Sequence, residues 1–116
     1  MVRLNLERLP KPELISEPVA EVLRRIAEYP EVRFILVFGS RAIGDADDRS
    51  DVDVSVSAPL ISRRRWLEIG RLTEDAPTLL RISLIRFDSS PPELQRSNLE
   101  DGVIVYESEK AATESR

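Results

Sequence analysis

Phe34-Ile35-Leu36-Val37-Phe38-Gly39-Ser40, then ten residues, then Asp51-Val52-Asp53-Val54-Ser55-Val56-Ser57: this stretch decides the fold. The first run is apolar and rich in aromatic and β-branched residues, the pattern of a strand covered on both faces. The second alternates without a fault. Val52, Val54 and Val56 lie on one face, and Asp51, Asp53, Ser55 and Ser57 on the other. Residues two apart in a strand are about 6.8 Å apart and point the same way, so Asp51 and Asp53 project side by side. Two such carboxylates repel each other unless a cation neutralises them, and their reach suits one or two divalent ions about 3.5–4 Å apart. Gly39 lets backbone approach a phosphate, and Ser40 offers an N–H and a hydroxyl. The plainer alternative is that Asp51 and Asp53 form the wet face of an edge strand. The preceding glycine–serine turn, with a strand on each side, favours the site.

Outward from this stretch, the elements follow in order. Ser16 and Pro18 open a helix carrying Val19, Val22, Leu23 and Ile26, and Pro30 closes it. After Pro59, Ser62 caps a second helix with Trp66, Leu67, Ile69 and Leu72. Residues 79–87 suggest a third strand, residues 93–99 a short helix, and residues 103–106 a last strand. The order α-β-β-α-β-α-β predicts an α+β fold, a mixed sheet with helices packed on one side. Residues 1–13 read as an N-terminal arm or short strand, 14–106 as the domain, and 107–116 as a polar, disordered tail.

Composition narrows the chemistry. The 116 residues form one domain with a single core. No cysteine is present, which agrees with a reducing cytoplasm. No histidine is present either, which removes histidine triads, histidine-bound zinc and histidine bases. Metal sites must then be built from oxygen, favouring magnesium or manganese. A net charge of −4 argues against a general nucleic-acid binder, and no apolar run is long enough to span a bilayer. Gly39 to Gly44 matches the glycine spacing of a P-loop, but Asp45 stands where the lysine belongs, so that site is rejected.

Val37-Phe38-Gly39-Ser40-Arg41-Ala42-Ile43-Gly44, Ser50-Asp51-Val52-Asp53-Val54 and the closing Glu100-Asp101-Gly102-Val103-Ile104-Val105-Tyr106-Glu107 together resemble the minimal nucleotidyltransferase (MNT) domains of the DNA polymerase β-like superfamily. The resemblance implies that Gly39 and Ser40 bind nucleotide phosphates, with Asp51 and Asp53 as the catalytic, magnesium-holding pair. It implies transfer of a nucleoside monophosphate, AMP from ATP, to a hydroxyl acceptor. Small family members often act as antitoxins beside a helical HEPN-domain toxin, which they bind and sometimes AMPylate on tyrosine. A HEPN-type partner is therefore expected, and self-association is left open.

One departure concerns a third carboxylate, which the family supplies from a later strand. Counting back from Pro91-Pro92-Glu93-Leu94, Ser83 occupies its place, and Arg81 is no better a ligand. Asp88 could substitute only if the strand ended early. A serine hydroxyl is a weak metal ligand and no base at neutral pH. The rival expectation is thus a weakened nucleotidyltransferase fold that neutralises or scaffolds a partner.

Arg41 is a candidate triphosphate contact, with pairing to Asp45, Asp47 or Asp48 as the equal alternative. Those aspartates and Arg49 read as solvated loop charges. Arg63-Arg64-Arg65 reads as a charged helix start, Trp66 as core, and Ser55 and Ser57 as pocket-lining or surface serines.

Overall fold

The computed structural model describes residues 2–110. Helix α1 spans Glu17–Ala27, strand β1 Phe34–Phe38, the single turn α2 Ser40–Ile43, and β2 Val52–Ser57. Helix α3 spans Arg63–Glu74, β3 Ile82–Arg86, α4 Pro92–Asp101, and β4 Val103–Glu107. Three short 3-10 turns lie at Leu6–Arg8, Pro12–Leu14 and Phe87–Ser89.

The four strands run in the order β3-β2-β1-β4. β1 is antiparallel to both β2 and β4, and β2 is parallel to β3. The sheet is therefore mixed, and the fold is α+β as the element order predicts. β2 is an inner strand, so the edge-strand alternative for its aspartates does not apply.

The period-two pattern places Ile35, Val37, Val52, Val54 and Val56 on one face, where they are fully buried. They meet Val19, Val22, Leu23 and Ile26 of α1 and Ile69 of α3 in one core. Fully burying each of these side chains contributes about 1.5–3 kcal/mol. Helix-period spacing on α1 and strand-period spacing on β1 and β2 thus describe the same layer from its two sides. Ser62 caps α3 by accepting the Arg65 N–H at 3.2 Å, and Pro92 takes the first turn of α4, where its missing N–H costs little.

α1 and α3 share that face. The end of α4 reaches the other one. Leu36 is fully buried yet stands outside the main core, and a side chain at Gly102 would collide with it. α4 can end there only because residue 102 has no Cβ. The apolar periodicity of α4 is weak, so the sequence did not reveal which face it covers.

Two strands, β3 and β4, differ from expectation in their bounds. β3 begins at Ile82, not at residue 79, because its one partner, β2, begins opposite it at Val52. Upstream, Leu79 is fully exposed. β4 runs on to Glu107, taking the first residue of the expected tail into the sheet. Residues 111–116 of that tail lie outside the described residues.

The N-terminal arm packs closely. Leu9 is buried, and Val2, Leu4 and Leu6 lie against the core. β4 carries a register shift opposite Ile35 and Leu36. Such a bulge leaves one residue out of the ladder, and here the Val105 carbonyl accepts the Asn5 N–H at 2.7 Å.

Candidate nucleotide and metal site

Gly39 leaves β1 with φ 73° and ψ −152°, a region essentially restricted to glycine. A side chain there would also strike the Asp53 carboxylate. The register explains the closeness, since Phe38 pairs with Asp53 across the two inner strands. The turn after β1 is thereby folded onto the carboxylate from β2, and Ser40 begins α2 beside it. The first N–H groups of any helix lack intrahelical partners. Gly44 closes the turn at φ 90°.

Asp53 is half-buried and Asp51 exposed. Burial raises the Asp53 carboxyl above its ordinary value, the Asp51 charge adds to the rise, and the Arg81 guanidinium opposes it. Among the described residues no hydrogen bond to Asp53 offsets the burial. A carboxylate half out of water, beside a second one, is a donor set that a hard cation relieves. The residues present therefore fit a divalent ion.

The parallel ladder places Ser83 directly beside Asp53. The register also brings Arg81 level with Asp51, and the Val52 N–H donates to the Arg81 carbonyl at 2.9 Å. Among the described residues, no three His, Cys, Asp or Glu side chains gather as a metal-binding group. Asp88 lies at the far end of β2. It accepts from the Ser57 hydroxyl at 2.8 Å and the Ala58 N–H at 2.7 Å, with Arg86 4.0 Å away. It does not join the aspartate pair.

Arg41 is 4% exposed, which its place in a charged loop did not suggest. Its guanidinium donates to the Ser50 carbonyl at 2.7 and 3.2 Å and to the Leu14 carbonyl at 3.2 Å. Burial pushes it down from its ordinary value, with Asp47 and Asp48 opposing. Lys11 donates to the Ala46 carbonyl at 3.0 Å, and Pro10 packs against Gly44. The arm and Arg41 together fix the loop joining Ser40 to Asp51. No local motif announces these contacts, because each partner is a backbone carbonyl distant in sequence.

The remaining candidates lie elsewhere. Asp47 accepts the Arg49 N–H at 2.8 Å in the exposed loop. Ser55 and Ser57 are buried rather than wet. Arg65 pairs with Glu31 and lies over Tyr29, and Trp66 is half-buried against the core. Among the described residues, no helix is long and apolar enough to cross a membrane.

Comparison with known proteins agrees with this geometry. Several solved chains share the fold. One comes from a toxin–antitoxin crystal structure with AMP-PNP, at 19% identity and TM-score 0.59, with 83% of this chain and 80% of that one covered. A second comes from a complex of tri-AMPylated Shewanella oneidensis HEPN toxin with MNT antitoxin, at 17% identity and TM-score 0.56, with 87% and 76% covered. A third comes from the toxin–antitoxin MntA-HepT, at 18% identity and TM-score 0.54, with 87% and 81% covered. No curated protein matches the sequence. The family described as polymerase beta, nucleotidyltransferase matches residues 21–111, and the chain belongs to that family.

Proposed function

We propose that this chain is a minimal nucleotidyltransferase that moves AMP from ATP to a hydroxyl on a partner protein. The observation that carries the reading is the packing of the Gly39 turn against Asp53, with Asp51 two residues away on the same face. Gly39 and Ser40 hold the phosphates, and Asp51 and Asp53 hold the metal. Arg41 acts one step back by fixing the loop, since its guanidinium is already engaged by Ser50 and Leu14. A bound Mg²⁺ or Mn²⁺ supplies neutralisation of the charge that gathers on the α-phosphate. The acceptor oxygen bonds to the α-phosphorus as its bond to the bridging oxygen breaks. Pyrophosphate leaves, and the hydroxyl proton passes to solvent.

The solved neighbours are toxin–antitoxin proteins, one with an AMPylated HEPN toxin. That supports a HEPN-type partner, an acceptor tyrosine on it and a role as antitoxin. A cytoplasmic setting goes with the supply of ATP and magnesium. Incubation with α-labelled ATP, magnesium and the neighbouring gene's product tests the reading. Label should appear on the partner and disappear with Asp51→Asn or Asp53→Asn. No label transfer from the unaltered chain defeats the enzymatic claim.

Ser83 favours a second reading, in which the fold binds and neutralises its partner with little turnover. Ser83→Asp separates the two. A large gain in transfer indicates a degenerate site, whereas loss of an existing activity indicates an enzyme adapted to serine.

A further inference from the structure

We propose that Arg81 is the built-in cation of this site, so that the chain holds a nucleoside triphosphate with one divalent ion and the Arg81 guanidinium in place of a second. The inference rests on the nucleotide reading above and names how that site meets the triphosphate charge.

The parallel register of β2 and β3 sets two cross-strand neighbours on the face that carries the aspartates. Ser83 stands beside Asp53, and Arg81 comes level with Asp51. A second divalent ion needs carboxylate oxygens of its own or shared ones. Among the described residues only Asp51 and Asp53 are available here, and Ser83 adds no charge. Two carboxylates and one guanidinium leave the protein side of the site with a single net negative charge, so the triphosphate charge is met by one divalent ion together with the guanidinium. A second dication would crowd both the first and the guanidinium.

The Arg81 guanidinium attracts the Asp53 charge without being tied down by a hydrogen bond. Arg24, Arg41, Arg65 and Arg86 all have hydrogen-bonded partners in the fold. The exposed Arg81 side chain makes no hydrogen bond or ion pair among the described residues. Arg81 and Ser83 also line a cleft of about 460 Å³ between the open edge of β3 and α3. A guanidinium suits phosphate oxygens through paired, charge-assisted hydrogen bonds. It offers no acceptor to a metal, so the division between ion and arginine follows from their chemistry.

The test counts Mn²⁺ by electron paramagnetic resonance while a nonhydrolysable ATP analogue is titrated calorimetrically. The unaltered chain should take up one Mn²⁺ per nucleotide. Arg81→Gln should weaken the analogue by about an order of magnitude, with Arg81→Lys recovering part of the loss. The double variant Arg81→Gln with Ser83→Asp should take up a second ion. Two Mn²⁺ per nucleotide in the unaltered chain, or unchanged affinity in Arg81→Gln, overturns the proposal. If the analogue binds and Asp51→Asn abolishes it while Arg81→Gln does not matter, the nucleotide reading stands and this one falls. If the unaltered chain binds no analogue, both fall.

Discussion

Asp53 and Asp88 are two carboxylates beside the same strand, about 13 Å apart along it, and the protein treats them oppositely. At the far end of β2, Asp88 accepts from the Ser57 hydroxyl and the Ala58 N–H and has Arg86 nearby. Each of its oxygens accepts a hydrogen bond, and it ties the 3-10 turn after β3 to the end of β2. At the near end, Asp53 has burial, a like charge at Asp51 and no hydrogen bond, and its carboxyl is raised accordingly. The first arrangement holds structure together. The second keeps an unmet charge where a cation and a phosphate could meet it. Satisfied against unsatisfied separates scaffold from site more sharply than exposure does, because both carboxylates are half-buried.

The largest expected effect is at the satisfied end. Asp88→Ala leaves the buried Ser57 hydroxyl and Ala58 N–H without an acceptor and should cost about 2–4 kcal/mol. Urea unfolding measures it, and a loss under about 0.5 kcal/mol would make the two ends alike. Gly39→Ala comes next. The backbone region there costs an L-residue about 1–3 kcal/mol. Its Cβ must also push the Asp53 carboxylate aside, so metal and nucleotide binding should fail beyond what the lost stability explains.

The Asp53→Asn substitution should go the other way. Without metal, removing a half-buried charge beside Asp51 is expected to stabilise the fold by about 1 kcal/mol, raising the melting temperature by a few degrees. A lower melting temperature in metal-free buffer would mean that Asp53 is satisfied after all.

The smallest effect concerns pH. The Arg65 side chain bonds to Glu31 and lowers its carboxyl below the ordinary value. A group with a depressed folded pKa contributes stability above its unfolded pKa and loses it as pH falls through the folded one. The contribution of Glu31 is therefore present at neutral pH and lost on acidification below the ordinary glutamate range. The pair is partly exposed to solvent, so the change is small. Glu31→Gln should flatten that part of the melting profile, and an unchanged profile would remove the pair from the account.

The core elements were legible because their periods are strong. Val52, Val54 and Val56 alternate, Val19, Val22, Leu23 and Ile26 recur at helical spacing, and a buried face enforces each pattern. The aspartate pair was legible for the same reason, since strand geometry alone puts Asp51 and Asp53 on one face. Arg41 was not. A charged loop gives no sign that its guanidinium turns inward to carbonyls at Leu14 and Ser50. Arg81 looked like a poor metal ligand, and its proximity to Asp51 depends on a parallel register that the local residues do not encode.

The sequence by itself determined the sheet, its main helical layer, the glycine turn and the carboxylate pair, because each follows from residue type and spacing within a few positions. Tertiary structure decided which strand was central, that Ser83 stands beside Asp53 with Arg81 next along the strand, and that Asp88 is structural. Those facts are pairings between segments some 30 residues apart. Only the folded ladder, which satisfies backbone hydrogen bonds and buries the valine face together, fixes them.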